Sequence, residues 1–256
     1  MRAAEKYGKM YPEEIYMQKI VLITGATSGY GLAAAKKFKA EGYTVLIASR
    51  NAEKVEMVVK ENGFDKGYAL DVTDYSGWEK VRKEVVRDYG RVDVLVNNAG
   101  GGVKIAPVTE QTKDNIDEAI LLNLNGTIYG SKIFGEVMKA QKSGIIINIS
   151  SVCARHCWQG WSVYAAAKAG VLNFTKGLYV EMRPYGVRAT CVIPAAASTG
   201  FQRGAGIAEA NQSLKTSDIA NAVYFAASQP DGAVVEEITV WGRADLKDVD
   251  DSDLGL

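Results

Sequence analysis

The sequence predicts an α/β protein: a doubly wound, mostly parallel seven-stranded sheet with helices on both faces, in a single domain. Three observations predict it. Short β-branched runs alternate with longer helical stretches along most of the chain, the order of a parallel sheet with crossover helices. The first run leads into a glycine-rich turn and then a helix. The chain has 256 residues, 47% of them apolar, enough for one large core without division into two.

Residues 1–17 carry no periodic pattern and read as an N-terminal extension. Ile20-Val21-Leu22-Ile23 has the apolar, β-branched character of a buried parallel strand. Thr24 to Gly31 form the turn, and Leu32 to Ala40 a helix closed by Gly42. A second strand runs over 44–48, a helix over 51–62, a third strand over 68–70 and a helix over 78–89. That last helix repeats apolar residues at Trp78, Val81, Val85 and Val86. The fourth strand spans 92–96 and ends in the small-residue loop Asn97-Asn98-Ala99-Gly100-Gly101-Gly102. A long helix over 115–140 is interrupted at Asn123-Leu124-Asn125-Gly126; polar residues and a glycine in mid-helix are costly and need a kink or a water site to explain them. The fifth strand covers 144–150, a helix 163–182 and the sixth strand 187–193. Residues 195–212, rich in Ala, Gly and Ser, read as a flap over a site. A helix over 216–227, a strand over 237–241 and an acidic tail over 243–256 complete the chain. The main domain is 18–242.

Composition narrows the function. Thirty basic residues balance thirty acidic ones, so nothing suggests a nucleic-acid partner or an anionic membrane surface. No run of 18 apolar residues and no apolar signal core occurs, and the chain is expected to be cytoplasmic. Cys153, Cys157 and Cys191 form no Cys-x-x-Cys pair, and His156 is the one histidine. Neither a disulfide frame nor a metal site is expected.

A strand, a glycine-rich turn and a helix in succession make an anion site, because free backbone N–H groups and the helix dipole face one point. Gly25, Thr27, Ser28, Gly29, Tyr30 and Gly31 are its candidate residues, with a plain turn as the alternative. A carboxylate some 20 residues onward would hold the ribose of NAD. This chain has Ser49 and Arg50 there, which favours the 2′-phosphate of NADP(H); the alternative is a solvated arginine opening the next helix. Asp71, beside Val72, could bind adenine or cap the next helix. Asn98, Ala99 and Gly100 leave room for a cofactor to approach backbone.

Tyr164 and Lys168 stand four residues apart on one helix face. A free tyrosine ionises near pH ~10. A unit charge at ~4 Å in an effective dielectric of ~20 is worth roughly 4 kcal/mol, or about three pKa units. The pair therefore predicts a phenol whose pKa is brought toward neutrality, fit for general acid/base work. Ser151 stands just past the apolar fifth strand, at a carboxyl end where open α/β sheets bind ligands.

These segments resemble the short-chain dehydrogenase/reductase family over about residues 18–242. Its Thr-Gly-x-x-x-Gly-x-Gly turn is matched at Thr24, Gly25, Gly29 and Gly31, and its Asn-Asn-Ala-Gly segment at Asn97 to Gly100. Its serine, tyrosine and lysine are matched at Ser151, Tyr164 and Lys168, the interval to the tyrosine selecting Ser151 over Ser150. Asn123 matches the family's asparagine, and Thr199 its threonine near the nicotinamide amide. Tyr30 stands where isoleucine is usual, and Pro194-Ala195 where Pro-Gly is usual.

The resemblance implies a Rossmann fold, a homotetramer or homodimer, and hydride transfer between NADP(H) and a carbonyl/alcohol pair. Tyr164 would be the proton donor, Ser151 would polarise the carbonyl and Lys168 would tune the tyrosine and hold the ribose. Asn123 would hold a relay water. Arg155, Trp158 and Trp161, with Gln202 and Arg203 in a short flap, suggest a small polar or anionic small-molecule substrate: a 3-hydroxy acid, an amino-alcohol acid or a sulfonate aldehyde. Surface charge for the arginines and subunit packing for the tryptophans are the alternatives. A sugar, acyl-carrier ketone or steroid reductase, and a non-catalytic NADP-binding sensor or scaffold, remain open on the same fold.

Overall fold

The computed structural model describes residues 18–101, 104–196 and 214–243. Thr199, Gln202, Arg203, the N-terminal extension and nearly all of the flap and tail lie outside the described residues.

Seven strands pair side by side in one parallel sheet: β1 (Ile20–Thr24), β2 (Thr44–Ser49), β3 (Lys66–Ala69), β4 (Val94–Asn97), β5 (Gly144–Ile149), β6 (Val187–Pro194) and β7 (Glu237–Val240). Their order is β3-β2-β1-β4-β5-β6-β7, as a doubly wound sheet requires. The helices are α1 (Gly29–Ala40), α2 (Ala52–Asn62), α3 (Tyr75–Tyr89), α4 (Lys113–Ile120), α5 (Gly126–Gln141), α6 (Ser162–Met182) and α7 (Thr216–Ala227).

The strands are apolar on both sides because both sides are covered. Val21 and Ile23 of β1 pack with Phe38 of α1, Val58 of α2 and Val223 of α7. Their alternates Ile20 and Leu22 pack with Trp78 of α3, Phe134 of α5 and Leu178 of α6. The chain order reverses between β1 and β4, so a crevice opens at their carboxyl ends.

Four expectations change. The helix expected over 115–140 is three pieces: α4, a π-helical turn at Leu121–Asn125, and α5. The extra residue of the wide turn accommodates the polar run. α1 begins at Gly29 and so absorbs the second half of the glycine-rich turn. Val86 is exposed rather than part of the α3 core stripe. Asp71 does not cap α3: its Oδ1 accepts from the Thr73 backbone N–H at 2.9 Å and hydroxyl at 2.7 Å. The cap is Asp74, which accepts from Ser76 N–H at 2.9 Å.

Candidate active site

The glycine-rich turn and the loop after β4 are built as one unit. Thr24 Oγ1 accepts the N–H groups of Asn98 at 3.1 Å and Ala99 at 3.0 Å. The Asn98 amide donates back to Thr24 O at 2.8 Å. This closeness explains two of the glycines. A Cβ on Gly25 would come within 2.9 Å of Ala99 Cα, and one on Gly31 within 2.5 Å of Asn98 Nδ2. Gly25 also needs its φ of +64°.

The α1 N-terminus retains the character of an anion site. Ser28 stands at the N-cap without a side-chain capping bond, and the first turn carries no acidic residue. Thr27 Oγ1 and Ser49 Oγ lie 3.4 Å apart, tying the turn to the end of β2. Arg50 is exposed at that end and makes no ion pair among the described residues. These features fit a dinucleotide carrying an extra phosphate. Val72 packs on the start of α5, where a Cβ on Gly126 would meet Val72 Cγ2 at 2.9 Å.

Across the crevice, β5 delivers two serines with different tasks. Ser150 is buried and donates its hydroxyl proton to Lys168 O at 2.8 Å, fastening α6 to the strand end. Ser151 accepts from Cys153 N–H at 3.2 Å and its side chain hydrogen-bonds Tyr164. The structure thus pairs Ser151, not Ser150, with the phenol. Trp161 lies edge-on to Tyr164 at 5.6 Å, and Cys153 shares the same small apolar cluster.

Lys168 is 4% exposed. Its Nζ donates to Ile149 O at 3.0 Å and lies 5.7 Å from the Tyr164 ring centroid. The Tyr164 pKa is raised in the structure, not lowered as its spacing from Lys168 predicts. Burial pushes the Tyr164 phenol well above its ordinary value, with the neighbouring Cys153 adding to the rise and the Ser151 hydrogen bond opposing it. Burial also pushes Lys168 down to about 8, against the pull of Cys191 and Cys153. Desolvation disfavours both charged forms and is the largest influence on each.

Asn123 sits in the π-helical turn, fully buried. Its Oδ1 accepts from Gly101 N–H at 2.9 Å, and its Nδ2 donates to Gly101 O at 3.2 Å and Ala119 O at 3.0 Å. It therefore pins the loop after β4 to the helix. A Cβ on Gly100 would lie 2.9 Å from Asn123 Oδ1 and 3.3 Å from Lys168 Nζ, so both side chains face Gly100. Beneath them a buried network joins four elements. Asn97 Nδ2 donates to Asn148 Oδ1 at 2.9 Å and Ser131 Oγ at 3.0 Å, and Asn148 Nδ2 donates to Thr175 Oγ1 at 3.0 Å.

Two candidate substrate residues have partners outside this cluster. Arg155 is ion-paired with Glu237 of β7 and donates to Thr239 Oγ1 at 3.3 Å. Glu237 is shared with Lys176 at 2.8 Å, so one carboxylate stands between two cations. Trp158 is exposed, with His156 as its ring neighbour at 6.2 Å; His156 also packs on Trp241 at 5.5 Å. Reading the sequence missed Cys153 beside Ser151 and the contact between Tyr30 and Ala195. Cys153 was findable from its place two residues after Ser151; the second is a long-range contact without a local pattern.

Residues 19–210 match the short chain dehydrogenase family. The serine 3-dehydrogenase of Agrobacterium fabrum is 35% identical over 224 residues, covering 84% of this chain and 90% of the relative. Among solved structures, a metagenomic short-chain oxidoreductase in complex with NADP is 29% identical with a TM-score of 0.76, covering 87% of this chain and 96% of that one. A serine dehydrogenase in its closed form with NADP+ is 26% identical with a TM-score of 0.79, covering 86% and 94%.

Proposed function

The chain is an oxidoreductase of the short-chain dehydrogenase family, and we propose that it uses NADP(H) to interconvert a small polar carbonyl compound and its alcohol. One observation carries the reading: Ser151, Tyr164, Lys168 and Asn123 converge at the carboxyl ends of β4 and β5, opposite a helix N-terminus suited to a pyrophosphate.

The backbone N–H groups of the turn Gly25, Thr27, Ser28, Gly29, Tyr30 and Gly31 would hold the pyrophosphate, with Ser49 and Arg50 at the 2′-phosphate and Asp71 and Val72 near the adenine. Asn98, Ala99 and Gly100, and past β6 Pro194 and Thr199, would line the remainder. When bound, the nicotinamide supplies or accepts a hydride. The chain's own residues then handle the oxygen. In reduction Ser151 donates a hydrogen bond to the carbonyl oxygen, and Tyr164 gives that oxygen its phenolic proton as negative charge develops. Tyr164 is protonated at neutral pH, the form an acid needs, because a phenol ordinarily ionises near pH ~10 and burial raises it further. Lys168 stabilises the phenolate left behind. Asn123 Oδ1 keeps one lone pair beside Lys168, a place for the water that returns the proton.

For the substrate, the names of two relatives favour a 3-hydroxy amino acid or a similar 3-hydroxy acid. Trp161 beside Tyr164 supports a compact pocket. The carboxylate of such a substrate would fall to Arg155, Arg203 or Gln202. Assembly as a homotetramer or homodimer is part of the same reading, with Val180 on α6, 57% exposed, among the apolar residues a second copy would cover; sedimentation velocity measures it. No helix among the described residues is long and apolar enough to cross a membrane.

Tyr164→Phe tests the reading. With the best substrate from a panel of 3-hydroxy acids and aldehydes, the variant should lose about 10²–10⁴-fold in kcat while binding NADPH as the wild type does. Ordinary turnover by that variant would refute the acid/base role.

A further inference from the structure

Resting on the reading just given, we propose that Tyr30 is a positioning residue that clasps the two walls of the cofactor crevice through its hydroxyl. Tyr30 lies in the first turn of α1, between Gly29 and Gly31. Its hydroxyl donates to the carbonyl oxygen of Ala195 at 3.1 Å, across 165 residues of sequence.

The two ends of this bond belong to opposite sides of the crevice. α1 rises from β1, whereas Ala195 follows β6, and β4 and β5 stand between those strands. Three strand spacings of about 4.8 Å separate them, roughly 14 Å in all. The side chain thus helps span the sheet's carboxyl edge where the reacting groups converge.

Ala195 is buried and held from both directions. Its N–H donates to Val240 O at 2.8 Å while its oxygen accepts from Tyr30. The Tyr30 ring packs on the apolar layer beneath α1. Its hydroxyl is also close enough to Tyr164 to contribute to that phenol's electrostatic surroundings. An isoleucine has no donor with which to make this bond. The clasp fixes the spacing between the phosphate-binding turn and the end of β6, and so where the nicotinamide half of a bound dinucleotide meets Tyr164. Such spacing matters for rate more than for affinity, because hydride transfer is sensitive to small misplacements.

Tyr30→Phe keeps the ring and deletes the donor. Backbone amide exchange, NADPH titration, and kcat with its primary isotope effect from NADPH deuterated at the transferred position are measured on wild type and variant. Expected are faster exchange at Ala195 and its neighbours, an NADPH dissociation constant within about twofold, and kcat lower by about fivefold, from a small misplacement of the reacting groups. The isotope effect on kcat should be at least as large as in wild type. Unchanged exchange at Ala195 overturns the clasp. A kcat within about twofold of wild type, or a fall in kcat matched by an equal loss of NADPH affinity, overturns the positioning role. If the wild type turns over no carbonyl at all, the oxidoreductase reading of this site falls, and exchange at Ala195 still decides whether the clasp exists.

Discussion

The Lys168 ammonium is buried beside the Ile149 carbonyl, with Cys153 and Cys191 as its titratable neighbours. Its pKa falls from the ordinary 10.5 to about 8 because burial penalises the charge. The consequence for stability has a definite sign. Below about pH 8 the lysine is protonated in both folded and unfolded chains, and the folded state bears the cost of burying the charge. Between about pH 8 and 10.5 the unfolded chain binds more protons, so this group's contribution to stability rises with pH. Comparing wild type with Lys168→Met cancels the titrations of groups far from the lysine; Cys153 and Cys191, whose values are raised by burial and lowered by Lys168, rise further in the variant. From urea midpoints, wild type should gain about 2 kcal/mol on the variant between pH 7 and 9.5, and the two should run parallel below pH 7. A difference that stays flat to pH 9.5 would show that the lysine titrates normally. Spacing in the sequence correctly puts Lys168 on the face of Tyr164. It carries no information on solvent, and solvent decides which way both groups shift.

The glycine-rich turn was legible as a pattern, but part of its reason was not. Gly-x-x-x-Gly-x-Gly after a strand suggests backbone approaching a ligand. At Gly25 and Gly31 the nearer constraint is the chain itself, because Asn98 and Ala99 fill the space a Cβ would take. That partner lies more than sixty residues away, so no local window contains it. Gly31→Ala should therefore cost about 1–3 kcal/mol from overpacking and weaken NADPH binding, seen in the urea midpoint and by fluorescence titration. Gly177 supplies the contrast. It is an exposed glycine inside α6 whose Cβ would meet nothing within 4 Å. Gly177→Ala should stabilise by about 1 kcal/mol, the ordinary helix-propensity difference. If Gly31→Ala proved as benign as Gly177→Ala, the packing argument would be wrong. The polar run at 123–126 is a similar case. The sequence shows that a helix there must be disturbed, and the π-helical turn with its Gly101 contacts shows how.

Arg50 raises a question that involves the molecule as a unit, because cofactor binding and folding are linked. The alternation of strands and helices made the sheet legible in advance, since each crossover must return the chain right-handed to a parallel neighbour. Legibility ended where contacts join distant segments, as in the Asn97–Asn148–Thr175 network and the Arg155–Glu237 pair. The crevice is assembled from β1, β2, β4, β5 and their loops, so a dinucleotide touches segments that do not coexist in the unfolded chain. A ligand that binds only the folded chain stabilises it by mass action, about 2.7 kcal/mol at a hundredfold excess over Kd. For a protein of this size that is a rise in Tm of roughly 5–10 °C. Arg50 is exposed, free of ion pairs among the described residues, and placed where a ribose carboxylate partner is missing; under the proposed reading its attraction would go to a 2′-phosphate. NADPH should raise Tm clearly more than NADH at equal concentration, and Arg50→Ala should close most of the gap by lowering the NADPH response alone. Both measurements are scanning-calorimetry or fluorescence melts and need no substrate, so they test cofactor choice separately from chemistry. Equal shifts by the two cofactors in wild type would turn the assignment toward NAD; a gap that survives in Arg50→Ala would place the discrimination on another residue.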